Sequence, residues 1–199
     1  MGRPKKFDEN TVLRKGTNVF WLKGYDATSM EDLVKETGLK PGSFYGAFGN
    51  KEQFFLQTLQ SYQNELLEAL DGVLSENRPA KQVIETFYDF FIDFCIETPQ
   101  GCFLVNTLFE THHENTTQIN LTRELFSHIE QRMVKILQRA QRESALANDQ
   151  SPELLAKIIM THIVGLRGYS KLTLDKPTLS NIKQQLFNSL FCQTQSHLN

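Results

Sequence analysis

The sequence predicts an all-α protein of about nine helices, divided into a short three-helix head and a larger helical body. Three observations carry that prediction. Apolar residues recur at spacings of three and four rather than two, as in Val12, Val19 and Phe20 and again in Leu66, Leu67, Leu70 and Leu74. Glycine and proline fall between these stretches, where they stop one helix and admit the next. The 199 residues are 40% apolar, enough for a core without metal or disulfide staples.

The first helix is expected to start at Asp8 as N-cap and to stop at Gly24, with Val12, Val19, Phe20 and either Leu13 or Leu22 facing inward. Ser29-Met30-Glu31-Asp32 is a capping box with Asp in the place of Glu, and it opens a short helix that runs through Thr37 to Gly38. Leu39 plugs the following turn. Pro41 suits a first-turn position, where its missing N–H costs nothing, and a third helix runs to about Phe48. Asn50 then caps a long amphipathic helix from Lys51 to Leu74. Beyond the connector Asn77-Arg78-Pro79, a strongly apolar helix carries Val83, Ile84, Phe87, Phe90, Phe91, Phe94 and Cys95 and ends at Pro99-Gln100-Gly101. A short helix from about Cys102 to His112 and a long one from about Thr117 to Ser144 follow. The last two are expected over 152 to about 172 and 178 to about 192, separated by Asp175-Lys176-Pro177.

Charge is unevenly placed. The net charge is −2, but residues 1–52 carry nine Lys or Arg and seven Asp or Glu, a net of +2 against −4 for the remainder. A basic head on a mildly acidic body suits a protein that should approach phosphate with one end only. The cysteines Cys95, Cys102 and Cys192 are odd in number and lack the paired spacing of a zinc site, which predicts a reducing, cytoplasmic setting without structural metal. No apolar run approaches a membrane span, and the amino terminus reads as neither a signal core nor an anchor.

Residues 28–51 hold the informative motif. Two short helices separated by Gly38-Leu39 lead into Lys40-Pro41-Gly42-Ser43-Phe44-Tyr45-Gly46-Ala47-Phe48-Gly49-Asn50-Lys51. Helix starts at Ser29 and Asn50 offer free N–H groups to anionic oxygens, and Lys51 adds a full charge beside one of them. Tyr45 has the reach for a phosphate, while Lys40 and Ser43 lie on the early turn of the third helix, where side chains meet base edges. Gly42 and Gly46 each cost about 1 kcal/mol of helix propensity against alanine, and each lets a backbone come close to a groove. Phe44 and Phe48 read as core anchors.

Over residues 8–56 the chain resembles the TetR family in order: Gly24-Tyr25 with Thr28-Ser29, the Val34 and Gly38-Leu39 turn, Gly42-Ser43-Phe44-Tyr45, and Phe48-Gly49-Asn50-Lys51-Glu52. The resemblance implies a helix-turn-helix head over residues 1–52 whose third helix enters the major groove of an operator. It assigns DNA contact to Thr28, Ser29, Lys40, Pro41, Gly42, Ser43, Tyr45, Gly46, Asn50 and Lys51. It further implies an effector-binding and dimerisation body over residues 53–199, with a homodimer formed by the last two helices. Arg3, Lys5 and Lys6 read as a basic arm for the minor groove or as a plain tail.

Within the body, Gly101-Cys102-Phe103-Leu104-Val105-Asn106 resembles a stretch of one TetR subgroup that includes electrophile- and redox-responsive repressors. Cys102 falls at a helix start, a position that favours thiolate, and Lys171 resembles the position that supplies a cation to such a cysteine. Cys102 as a small buried apolar residue is the other reading. Phe91, Phe94, Phe103, Phe109 and Phe126, with His162, are candidates for a pocket wall that also serves as core. Glu110 and His113 have the spacing of a diiron helix, but no second Glu-x-x-His occurs, so no metal and no cofactor is expected. The resulting expectation is a ligand- or electrophile-responsive repressor of double-stranded DNA. A helical metal-binding enzyme and a ligand-independent DNA-binding protein are its rivals.

Overall fold

The computed structural model describes residues 7–75, 77–110, 116–146 and 150–191, and among these every regular element is helical. The helices are α1 (Glu9–Lys23), α2 (Met30–Thr37), α3 (Pro41–Phe48), α4 (Lys51–Val73), α5 (Ala80–Glu97), α6 (Phe103–Glu110), α7 (Thr116–Arg142), α8 (Pro152–Tyr169) and α9 (Lys176–Phe191). No helix among the described residues is long and apolar enough to cross a membrane. The chain forms two compact units, one of Met1–Leu67 with Cys102–Arg123 and one of Glu68–Gly101 with Glu124–Asn199.

In the first unit, α1 opens on Asp8, whose carboxylate accepts the Thr11 N–H, and closes on Gly24 at φ 79°. Its buried face is Val12, Leu13, Gly16, Thr17 and Phe20. Of the two alternatives for that face, Leu13 is inside and Leu22 is 70% exposed. The core of this unit is aromatic: Phe54 meets Phe44 at 4.7 Å and Phe48 at 4.9 Å, while Phe20 meets Phe55 at 4.7 Å. Gly16 is where α1 lets that core in, because a Cβ there would stand 2.3 Å from Phe54. The short α6 packs in the same unit, with Phe103 seated among Trp21, Phe55 and Tyr62 at 6.0, 5.8 and 5.7 Å between ring centres.

The second unit is built on α5, which buries Val83, Ile84, Phe87, Tyr88, Phe91, Ile92 and Cys95 against α8 and α9. Pro79 precedes α5 and supplies no side-chain cap. The Glu143 carboxylate accepts the Ala80 N–H at 2.7 Å instead, a negative group at the positive end of a helix. Helix limits depart from the sequence expectation mainly near α8 and α9. The chain leaves α8 at Tyr169 rather than near Leu172, and α9 starts at Lys176 because Asp175 accepts the Thr178 N–H at 2.9 Å.

Candidate nucleic-acid interface

The third helix divides its residues cleanly. Phe44 and Phe48 are buried at 0% and 2% exposure and anchor α3 to the aromatic core, as expected. Lys40, Pro41, Gly42, Ser43, Tyr45 and Gly46 are all exposed and share the opposite side. Pro41 stands in the first turn and Lys40 is the N-cap residue, with no side-chain capping bond to hold it. A Cβ at Gly42 or Gly46 would have nothing within 4 Å, and neither glycine has positive φ. The fold therefore has no need of glycine at either place.

Helix starts flank this face, and they differ in charge. At α2, the Ser29 hydroxyl accepts the Asp32 N–H at 3.1 Å and donates to the Asp32 carboxylate at 2.8 Å, while the Ser29 N–H donates to the same carboxylate at 3.0 Å. Lys23 pairs with Asp32 at 2.6 Å. That ion pair and the Ser29 donors hold the carboxyl far below its ordinary range. At α4 the reciprocal pair is neutral: Asn50 Oδ1 accepts the Gln53 N–H at 2.8 Å, and Gln53 Oε1 accepts the Asn50 N–H at 3.2 Å. Lys51 Nζ lies 4.4 Å from the Tyr25 ring centre and 3.4 Å from the Asp26 carbonyl oxygen, which fixes a positive charge beside that start. Thr28 is buried, and its hydroxyl donates to the Gly24 carbonyl at 2.7 Å, so its place is inside the turn.

Arg3, Lys5 and Lys6 lie outside the described residues, as do Cys192, His112, His113 and Glu114. Cys102 is buried immediately before α6, where its carbonyl accepts the Asn106 N–H at 2.8 Å. Its Sγ accepts a hydrogen bond from the Tyr62 hydroxyl at 3.8 Å. Lys171 is exposed and belongs to the other unit, just past α8. The aromatic candidates do not form one set. Phe103 is buried in the first unit, Phe109 is 80% exposed, and Phe91, Phe94 and Phe126 belong to the second unit. His162 faces Tyr88 at 5.5 Å between ring centres, and burial pulls its imidazole below the usual range. Sequence reasoning missed Trp21 and Tyr62, which hold Phe103 and Cys102 to the unit that carries α3. Helical periodicity marks which residues turn inward, not which distant helix receives them.

The model for bacterial regulatory proteins of the tetR family matches residues 12–58, and the tetracyclin repressor-like C-terminal domain matches residues 80–186. The HTH-type transcriptional repressor ComR of Escherichia coli is 38% identical over 110 residues, covering 53% of this chain and 51% of ComR. The HTH-type transcriptional regulator YezE of Bacillus subtilis is 27% identical over 91% of this chain and 95% of its own. A cysteine mutant of the regulator CifR, solved with a 26-bp double-strand operator DNA, shares the fold with a TM-score of 0.83 at 24% identity, over 95% of this chain and all of that one.

Proposed function

The chain belongs to the TetR family of bacterial regulatory proteins and is a DNA-binding regulator of transcription, and from that premise we propose a homodimeric cytoplasmic repressor, not a catalyst, released from a pseudo-palindromic operator by its signal. The exposed face of α3 carries the reading. Six polar, small or flat residues stand there with no role in the core, and two of them are glycines that helix propensity disfavours. A bare helix backbone of that kind fits a major groove, where Lys40, Ser43 and Tyr45 reach edges and phosphates. The neutral, Lys51-bearing start of α4 supplies the phosphate grip.

Release has two supported routes, a small molecule in the body or modification of Cys102. For the second, the supporting observation is that Cys102 shares a compact unit with α3. A group added to its sulfur has to displace the Tyr62 hydroxyl and press on Phe103, which touches α1 through Trp21 and α4 through Phe55. The adduct would thereby favour a state with the recognition helices misplaced.

One experiment covers the reading. Selection of duplexes from a random pool by the full-length chain should return a two-fold-related sequence with half-sites about 34–36 Å apart. Challenge of that complex with p-benzoquinone or hypochlorite should dissociate it, and Cys102→Ser should abolish the response. Failure to enrich any duplex at low salt removes the regulator reading. Enrichment with unchanged release in the serine variant removes the cysteine route alone.

A further inference from the structure

Arg167, in the last turn of α8, is 2% exposed, the largest fully buried side chain among the described residues. Its Nη2 donates to Thr98 Oγ1 at 3.1 Å, and its guanidinium carbon lies 4.4 Å above the centre of the Phe94 ring. Among the described residues, Nε and Nη1 find no hydrogen-bond partner. No carboxylate among the described residues forms an ion pair with it. Of the four acids on the neighbouring helix, Asp89 pairs with Lys183 and Asp93 with Lys176, and neither Glu85 nor Glu97 comes within ion-pair distance of the guanidinium. A charge taken from water into a protein interior is normally neutralised by an opposite charge and by hydrogen bonds to its remaining donors. Here the partners are a hydroxyl and an aromatic face, with no anion among the described residues.

The chemistry of the missing partner follows. A guanidinium is a planar fork matched to two oxygens held in one plane, which is carboxylate geometry. One cation neutralises one negative charge, so a phosphate dianion would remain half unpaired. Beside the guanidinium, Phe94 stacks with Phe90 at 6.1 Å between ring centres and an interplanar angle of 21°. That is an apolar wall for the rest of a small molecule. We propose that Arg167 anchors the carboxylate of an organic-acid effector, whose alkyl or aryl body lies against Phe90 and Phe94. This rests on the reading of the chain as a signal-responsive regulator, and names the class of its small-molecule signal.

The test is calorimetric titration and thermal melting of the full-length chain with benzoate, and with straight-chain acids from acetate to decanoate, each against its amide. At least one acid should bind and raise the melting temperature, while its amide should bind about a hundredfold more weakly. Arg167→Met should remove the acid's effect and leave affinity for the selected duplex within about twofold. It should also melt no lower than the parent without ligand, because it removes an unneutralised buried charge. A merely structural arginine predicts a lower melting point. Should the Met variant fail to fold, Arg167→Lys, which keeps the charge and loses the fork, should weaken acid binding about tenfold. Equal response to acid and amide, an acid response that survives both substitutions, or no response to any acid overturns the proposal. Normal duplex selection in that last case shows that only the effector class has failed, whereas absent selection shows that the regulator reading has.

Discussion

Gly16 and Gly46 both sit inside helices with ordinary helical backbone, yet substitution should move stability in opposite directions at the two. A methyl group at Gly16 would enter the Phe54 ring, whose Cε1 stands 2.3 Å from the position it must take. Gly16→Ala should therefore lower stability by roughly 1–3 kcal/mol, the usual range for overpacking a tight core. At Gly46 the same methyl meets open space. Gly46→Ala should raise stability by roughly 0.5–1 kcal/mol and weaken binding to the selected duplex about tenfold, since the gain in helix propensity comes with loss of close approach. Urea unfolding and fluorescence-anisotropy titration measure the two halves of this contrast, and a Gly46→Ala variant that binds DNA as tightly as the parent would show that α3 does not lie close in a groove. The glycines on α3 were legible in sequence because two of them in one short helix contradict propensity. Gly16 was not, because the ring that excludes its side chain belongs to a helix much later in the chain. Thr28 was less legible for a related reason: a motif match marks a position as belonging to the site and does not show that its hydroxyl is buried in the turn, bonded to the Gly24 carbonyl.

Both α2 and α4 begin with a reciprocal box; the Ser29–Asp32 box was visible in sequence, whereas at α4 only the Asn50 cap was, and its Gln53 partner was not. Nor were their electrostatics, since these depend on Lys23 reaching Asp32 and Lys51 resting over Tyr25. An anionic carboxylate already occupies the start of α2, whereas the start of α4 has a neutral cap and a fixed ammonium, so phosphate affinity should concentrate at α4. Lys51→Gln is expected to reduce the slope of log affinity against log salt by about 1. Ser29→Ala should leave that slope unchanged and lower stability by about 1 kcal/mol through loss of the cap. The Asp32 carboxyl is held below its ordinary range, so its contribution to α2 is complete above the ordinary carboxylate value and is lost as pH falls toward the folded value. Equal salt slopes for the parent and Lys51→Gln would remove α4 from the phosphate grip.

At the scale of the whole molecule, the decisive quantity is the number of heads presented to one operator. Leu154, Ile158, Thr161, Gly165, Tyr169 and Leu172 recur at intervals of three and four along α8 and just past its end, and all six are exposed. Leu172 is 81% exposed and Leu154 59%. A stripe of this kind is too apolar for a solvated helix face and has the spacing of a helix-packing seam. Gly165 and Gly168 have nothing within 4 Å of a built Cβ, which leaves room for another backbone. Gln184, Gln185, Asn188 and Ser189, exposed along α9, are polar by comparison, and these fit the rim of such a contact. On the proposed two-fold operator, a second copy of the chain is the occupant this stripe should receive. Ile158→Glu places a charge in the middle of the stripe without touching the core, so circular dichroism should be unchanged while sedimentation shows a monomer. Affinity for the selected duplex should then fall by roughly a factor of 10²–10⁴, because the second head no longer binds at the effective concentration set by the first. A variant that still sediments as a dimer would move the interface off α8, and a monomer that kept full affinity would mean that a single head suffices for operator recognition.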